Sequence, residues 1–173
     1  SKSKLFSSIG QRATFGLACL ELKKKYENLM VVTADVSTSA GLDRYKNKFQ
    51  DNYLDVGIAE QNMIGIATGL STLGYNVFTT SFAPFQSMRC LEQIKVNQGY
   101  MKKKITMVGI ASGVVLGTLG YTHCCIEDLS IMKSIPGMTV LSPSDGSEVV
   151  KSVFAAAEHD GPVYIRLTGG SNS

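Results

Sequence analysis

The sequence predicts a three-layer α/β domain, and three observations carry that prediction. Short, mostly continuous apolar runs recur along the chain, as expected of strands covered on both faces. Segments with the helical spacing of apolar residues lie between those runs, and such alternation pairs strands in parallel through right-handed crossovers. The chain has 173 residues without an internal repeat, low-complexity segment or linker, so it reads as one unit.

Each element follows in order. Residues 11–26 have helical spacing, and Lys23, Lys24 and Lys25 suit the carboxyl end of that helix as solvated charge. The apolar run at 29–33 is the first strand and that at 53–56 the second. Helical spacing returns over 59–73, with Met63, Ile64, Ala67 and Leu70 facing a core. A third strand, 76–80, leads to a helix over 85–97, and Lys102, Lys103 and Lys104 precede a fourth strand at 105–110. A helix over 126–135 and a strand over 138–141 come next. Pro143-Ser144-Asp145-Gly146 closes that strand and offers Ser144 or Asp145 as N-cap for a helix over 147–158. Asp160-Gly161-Pro162 ends that helix, and the last strand covers 163–167.

Composition narrows the function classes. An apolar fraction of 44% excludes a disordered chain. No apolar run reaches the roughly 18 residues a membrane helix needs. Ser1-Lys2-Ser3-Lys4-Leu5 carries charge with no apolar region behind it, so it does not read as a secretory signal, and the expected location is cytoplasmic. A net charge of +3 is too mild to announce a nucleic-acid partner. Cys19, Cys90, Cys124 and Cys125 show no metal-ligand spacing and read as reduced, structural thiols, with Cys124-Cys125 singled out only because His123 adjoins them.

In an open parallel sheet, ligands gather beyond the carboxyl ends of the strands, so the loops there are the places to look for chemistry. After the second strand, Glu60 opens a helix among the apolar Ile58, Ala59 and Met63. The helix dipole alone would justify it, yet a carboxyl stripped of water there can share a proton with a ring nitrogen. After the third strand, Phe82, Phe85 and Met88 recur at intervals of three and would form one apolar face on a helical turn, a slot for an aromatic heterocycle. After the fourth, a glycine-rich approach leads to His123, which can trade protons near neutral pH. No GxGxxG after the first strand and no GxxxxGK[ST] occurs, so nucleotide binding of those kinds is unsupported.

Together these residues resemble the pyrimidine-binding domain of the transketolase family, enzymes that depend on thiamine diphosphate. The strings are Thr33-Ala34-Asp35-Val36-Ser37-Thr38-Ser39, Asp55-Val56-Gly57-Ile58-Ala59-Glu60-Gln61-Asn62-Met63, Ser81-Phe82-Ala83-Pro84-Phe85, Gly120-Tyr121-Thr122-His123 and Leu141-Ser142-Pro143-Ser144-Asp145. They run in the family's order from about Arg12 to Gly170, and Gly-Ile-Ala-Glu-Gln-Asn is the most specific.

The resemblance implies a thiamine diphosphate-binding fold, with a mostly parallel sheet of about six strands, and a two-carbon ketol transfer between sugar phosphates. It implies that Glu60 hydrogen-bonds ring nitrogen N1′ and favours the imino tautomer that removes the thiazolium C2 proton, with the cofactor as electron sink. Phe82 and Phe85 match residues that flank the pyrimidine, with Met88 where many relatives have a further aromatic. Asp35 matches an aspartate near the cofactor and the subunit interface, and His123 one that hydrogen-bonds the sugar. Arg12, Ser39 and Arg166 match the sugar-phosphate site, for which arginine suits the chemistry.

Two departures bear on specificity. Leu119 stands where the family commonly has an acidic residue, and a phosphate-site histidine falls near Ala111. No Gly-Asp-Gly segment followed by Asn-Asn occurs, so the resemblance implies that the diphosphate and its Mg²⁺ are held by a partner domain or subunit, in a homodimer or heterotetramer. The family's C-terminal domain is likewise not matched, and the expected reading is a single pyrimidine-binding domain over 1–173. The same features also fit a deoxyxylulose-phosphate synthase, the β-subunit of a 2-oxo acid dehydrogenase, or a non-catalytic assembly module.

Overall fold

The computed structural model describes residues 9–169, so Ser1 to Leu5 and Gly170 lie outside the described residues. Its element order is α1 (Gln11–Lys25), β1 (Leu29–Thr33), α2 (Asp43–Lys48), β2 (Tyr53–Asp55), α3 (Glu60–Thr72), β3 (Asn76–Phe82), α4 (Ala83–Ser87), α5 (Leu91–Ile94), β4 (Thr106–Ile110), α6 (Asp128–Lys133), β5 (Thr139–Leu141), α7 (Gly146–Glu158) and β6 (Val163–Arg166). All six described strands pair in parallel, in the order β2-β1-β3-β4-β6-β5.

Alternation along the strands divides the core into two layers, because successive side chains point to opposite faces. Leu29, Val31, Phe78, Val108 and Ile165 pack under Phe15 and Leu22 of α1 and Val149 and Val153 of α7. Met30, Val32, Val77, Met107 and Tyr164 pack under Met63, Ile64 and Ala67 of α3, with Ile94 and Met132. The central strands β1 and β4 are buried throughout, as the continuous apolar runs predict. Edge strand β2 departs from that expectation: Leu54 and Asp55 are exposed, and among the described residues no strand pairs with its outer side.

The helix expected over 85–97 is broken. Backbone N–H groups of Met88 and Arg89 both donate to the Pro84 carbonyl, α4 ends, and a π-turn at Lys95–Tyr100 closes the segment after α5. The helix expected over 126–135 is shorter, because Gly113 and Cys125 form an antiparallel bridge that holds the chain extended before α6. α2 was not expected.

Of the two cap candidates, Asp145 takes the role. Its Oδ1 accepts from the Glu148 N–H at 2.8 Å, while Glu148 Oε2 accepts from the Ser144 N–H at 2.7 Å. Those bonds to Ser144 hold the Glu148 carboxyl below the ordinary carboxylate range, so its contribution is present above about pH 4.3 and fades as the pH falls below it. Asp145→Ala is expected to cost about 1 kcal/mol in denaturant unfolding with an unchanged slope.

Candidate functional site

The carboxyl ends of β2, β3 and β4 bring three sequence-distant groups together. Gly57, at φ +72, turns the chain from β2 toward α3, and Glu60 becomes the first residue of α3. Its side chain is only 3% exposed. Oε1 accepts from the Ser81 hydroxyl at 3.3 Å, and Oε2 accepts from Arg89 Nη1 at 2.8 Å. Burial of Glu60 agrees with the expectation, but its surroundings do not: Ile58 is 76% exposed and a guanidinium faces the carboxylate.

Beside Glu60 stands an aromatic wall. Phe82 closes β3 and Phe85 lies in α4, with ring centres 6.2 Å apart and edge to face. His123 arrives on the loop after β4 and sets its ring 5.3 Å from Phe85 and 6.1 Å from Phe82. The Thr122 hydroxyl lies 3.0 Å from His123 Nδ1. Met88 does not complete one helical face with the two phenylalanines: Phe82 belongs to a strand, and Met88 turns outward at the end of α4. One face of Phe85 carries the Arg89 guanidinium, with Cζ 3.9 Å from the ring centre.

Asp35 follows β1 in a left-handed conformation, φ +56, a strained state for a non-glycine residue. Asp55 Oδ1 holds this corner by accepting from the backbone N–H groups of Asp35 and Gly57 at 2.9 and 3.0 Å. The Asp35 side chain itself is exposed.

Arg12 and Ser39 line one cleft of about 220 Å³, together with Gly10, Thr38 and Gly41. The cleft exists because α1 and the 38–41 loop nearly touch: a Cβ on Gly16 would lie 1.8 Å from the Gly41 carbonyl oxygen. Gly16→Ala must therefore push the Ser39 loop away, and it is expected to cost about 1–3 kcal/mol, read as a lowered unfolding midpoint.

Arg166 does not line that cleft. Its Nε donates to both oxygens of Asp128, at 3.2 and 3.1 Å, and the Tyr164 hydroxyl donates to Asp128 Oδ2 at 2.9 Å. Asp128 is fully buried, and the sequence reading missed it because its partners lie 36 and 38 residues away. Gln11 stitches the two regions: its Oε1 accepts from the Thr168 N–H at 2.8 Å, next to Arg12 at one end and close to Arg166 at the other.

Three of the thiols match the structural reading: burial pushes Cys90 up to about 12 and raises Cys19 and Cys125, so these three are not disposed to act as thiolate nucleophiles. Among the described residues no group of three or more His, Cys, Asp or Glu side chains could hold a metal ion, and no helix is long and apolar enough to cross a membrane.

The donor set fits an aminopyrimidine: a buried carboxylate for a ring nitrogen and flat apolar walls for the ring faces. The planar Arg89 guanidinium, seated on Glu60 and Phe85, shows that these two residues accept a flat nitrogenous group.

Comparison with known proteins gives consistent matches. The family model described as transketolase, pyrimidine binding domain, matches residues 7–171. A putative transketolase C-terminal section from Methanocaldococcus jannaschii is 40% identical over 158 residues, 91% of this chain and 50% of that protein. A 6-deoxy-6-sulfo-D-fructose transketolase subunit from a Clostridium species is 38% identical over 156 residues, 90% of this chain and 48% of that protein. Among solved structures, a split-gene transketolase described as an inactive β4 tetramer superimposes with a TM-score of 0.81 at 35% identity, covering 92% of this chain and 51% of that one. The chain thus spans about half the length of these relatives.

Proposed function

The chain belongs to the family of transketolase pyrimidine-binding domains, and from that premise we propose that it supplies the ring-binding half of a thiamine diphosphate-dependent transketolase. The reaction is transfer of a two-carbon ketol unit between sugar phosphates, completed by a partner domain or subunit that holds the diphosphate and Mg²⁺. The observation that carries the reading is Glu60, 3% exposed and linked to the Phe85 ring by the one guanidinium that touches both.

When bound, thiamine diphosphate supplies the carbon nucleophile and the electron sink. Glu60 holds a proton at ring nitrogen N1′, and its burial keeps water from competing for it. Phe82 and Phe85 wall the ring, with Met88 at the rim, and Asp35 stands near the cofactor on its strained corner. His123 hydrogen-bonds the sugar. Arg12 and Ser39 take the sugar phosphate in their shared cleft, while Arg166, outside that cleft with Nε committed to Asp128, has terminal amines left for an anion. Leu119 and Ala111 turn the preference away from ordinary pentose phosphates toward a modified sugar or a different acceptor.

Exposed apolar residues surround this end of the sheet and favour a partner surface there. Tyr121 is 92% exposed, and Ile58, Val114, Leu119 and Ile126 are exposed beside it in sequence or across the loops. The assembly is a homodimer or a heterotetramer, as closed two-fold symmetry favours. The relative described as an inactive β4 tetramer agrees with a requirement for a second kind of chain. Four free cysteines suit a reducing, cytoplasmic compartment.

The test is an activity comparison on the protein purified with its diphosphate-binding partner. Thiamine diphosphate-dependent ketol transfer from a ketose phosphate is the expected result. Consumption of pyruvate instead would assign the chain to a synthase or an oxo acid dehydrogenase, and no turnover of either kind would leave an assembly role.

A further inference from the structure

The Arg89 guanidinium makes two contacts at once. Nη1 donates to Glu60 Oε2 at 2.8 Å, and Cζ lies 3.9 Å above the centre of the Phe85 ring. The second distance is a stacking distance, with no room for another flat group between them. The arginine side chain is 41% exposed, so it reaches in from solvent rather than being locked in the core. Only one of the carboxylate oxygens is otherwise used, by the Ser81 hydroxyl at 3.3 Å.

A guanidinium presents an N–C–N edge and a flat face. Those are the two features by which an aminopyrimidine would be held here, its edge on Glu60 and its face on Phe85. Resting on the proposed function, we propose that Arg89 is a gate: in the cofactor-free chain it occupies the slot of the pyrimidine ring, and it swings into solvent when the ring seats. An arginine that merely positioned Glu60 would approach the carboxylate from a side that leaves the Phe85 face open. Here the same group blocks both.

The cost of the gate appears in cofactor affinity. A protein whose competent state is only partly populated binds more weakly by that fraction, so a chain gated about nine-tenths of the time loses roughly tenfold in apparent affinity. Removing the guanidinium restores it. The partly exposed arginine leaves the site without opening a cavity, and its rotamers are free outside.

The experiment titrates thiamine diphosphate with Mg²⁺ calorimetrically into the complex of the full chain and its diphosphate-binding partner, comparing wild type with Arg89→Leu. Each protein is also melted without cofactor. The gate predicts binding several-fold tighter, up to roughly tenfold, in Arg89→Leu. Arg89→Lys, which keeps the charge but cannot stack as a plane, serves if the leucine variant does not fold, and it should also tighten binding. A structure of the loaded complex should have the guanidinium away from both Glu60 and Phe85. Unchanged or weaker binding by the variants overturns the gate alone, as does a loaded structure with Arg89 still on Phe85. A wild-type complex that binds no thiamine diphosphate overturns the gate together with the function it rests on.

Discussion

Glu60→Ala is expected to lower turnover of the assembled enzyme by about 10²- to 10⁴-fold while leaving the subunits associated. The argument is local. Glu60 is a buried acid that shares the Arg89 guanidinium with the Phe85 ring, and its neighbour Ser81 supplies a hydroxyl that cannot replace a carboxylate. The fold loses little, because an acid in the first turn of α3 contributes about 0.3–1 kcal/mol through the helix dipole. Arg89, left without its partner, is exposed enough to be solvated. Glu60→Gln sharpens the test, since it keeps the shape and a hydrogen-bond acceptor but cannot exchange a proton. Steady-state rates with a matched measurement of complex size decide it, and a retained rate in either variant defeats the assigned role.

The largest effect on stability is expected at Asp128. Its carboxylate is fully buried and receives the Tyr164 hydroxyl and Arg166 Nε. Asp128→Ala leaves a guanidinium that is 16% exposed without its counter-charge, and breaking one side of such a pair costs about 3–5 kcal/mol. The midpoint of denaturant unfolding should fall by that free energy divided by an unchanged slope. If Arg166 takes part in binding a sugar phosphate as proposed, loss of its Asp128 partner should raise the Michaelis constant for a phosphorylated sugar more than it lowers the rate. Tyr164 adds a pH signature. Burial first, and then the Asp128 charge, raise its ionisation well above the ordinary tyrosine value, so the stability it contributes is intact below about pH 10. That stability is lost as the pH rises further, because the unfolded chain then gives up the phenolic proton while the native one holds it.

Much of the fold was legible because the central strands obey a simple rule. Leu29–Thr33 is apolar at its first four positions and buried at every position, so its limits in sequence and structure coincide. The helix of Met63, Ile64 and Ala67 was equally plain, since three buried residues on one face set its phase. The short α2 at Asp43–Lys48 gives no such signal: six residues are too few for a period, and Tyr45 is its buried residue. The break after Ser87 was hidden because residues 85–97 keep helical spacing even though Pro84 draws two N–H groups to one carbonyl.

The site divides in the same way. Glu60 could be found because a single acid opens an apolar helix at a strand end. Arg89 and Asp128 could not, because their meaning lies in partners 29 and 38 residues away, and only folding brings those partners close. Phe82 and Phe85 were grouped correctly for a different reason than their spacing of three. They meet across a strand end and a short helix, edge to face, with His123 from a third loop.

The central claim is that this chain carries the ring pocket and a partner carries the charge clamp. Calorimetric titration of thiamine diphosphate with Mg²⁺ into the chain, with and without the diphosphate-binding subunit, tests it most directly. The account predicts binding when both are present and no measurable heat of binding for the chain by itself. Tight binding by the chain in the absence of any partner would contradict it.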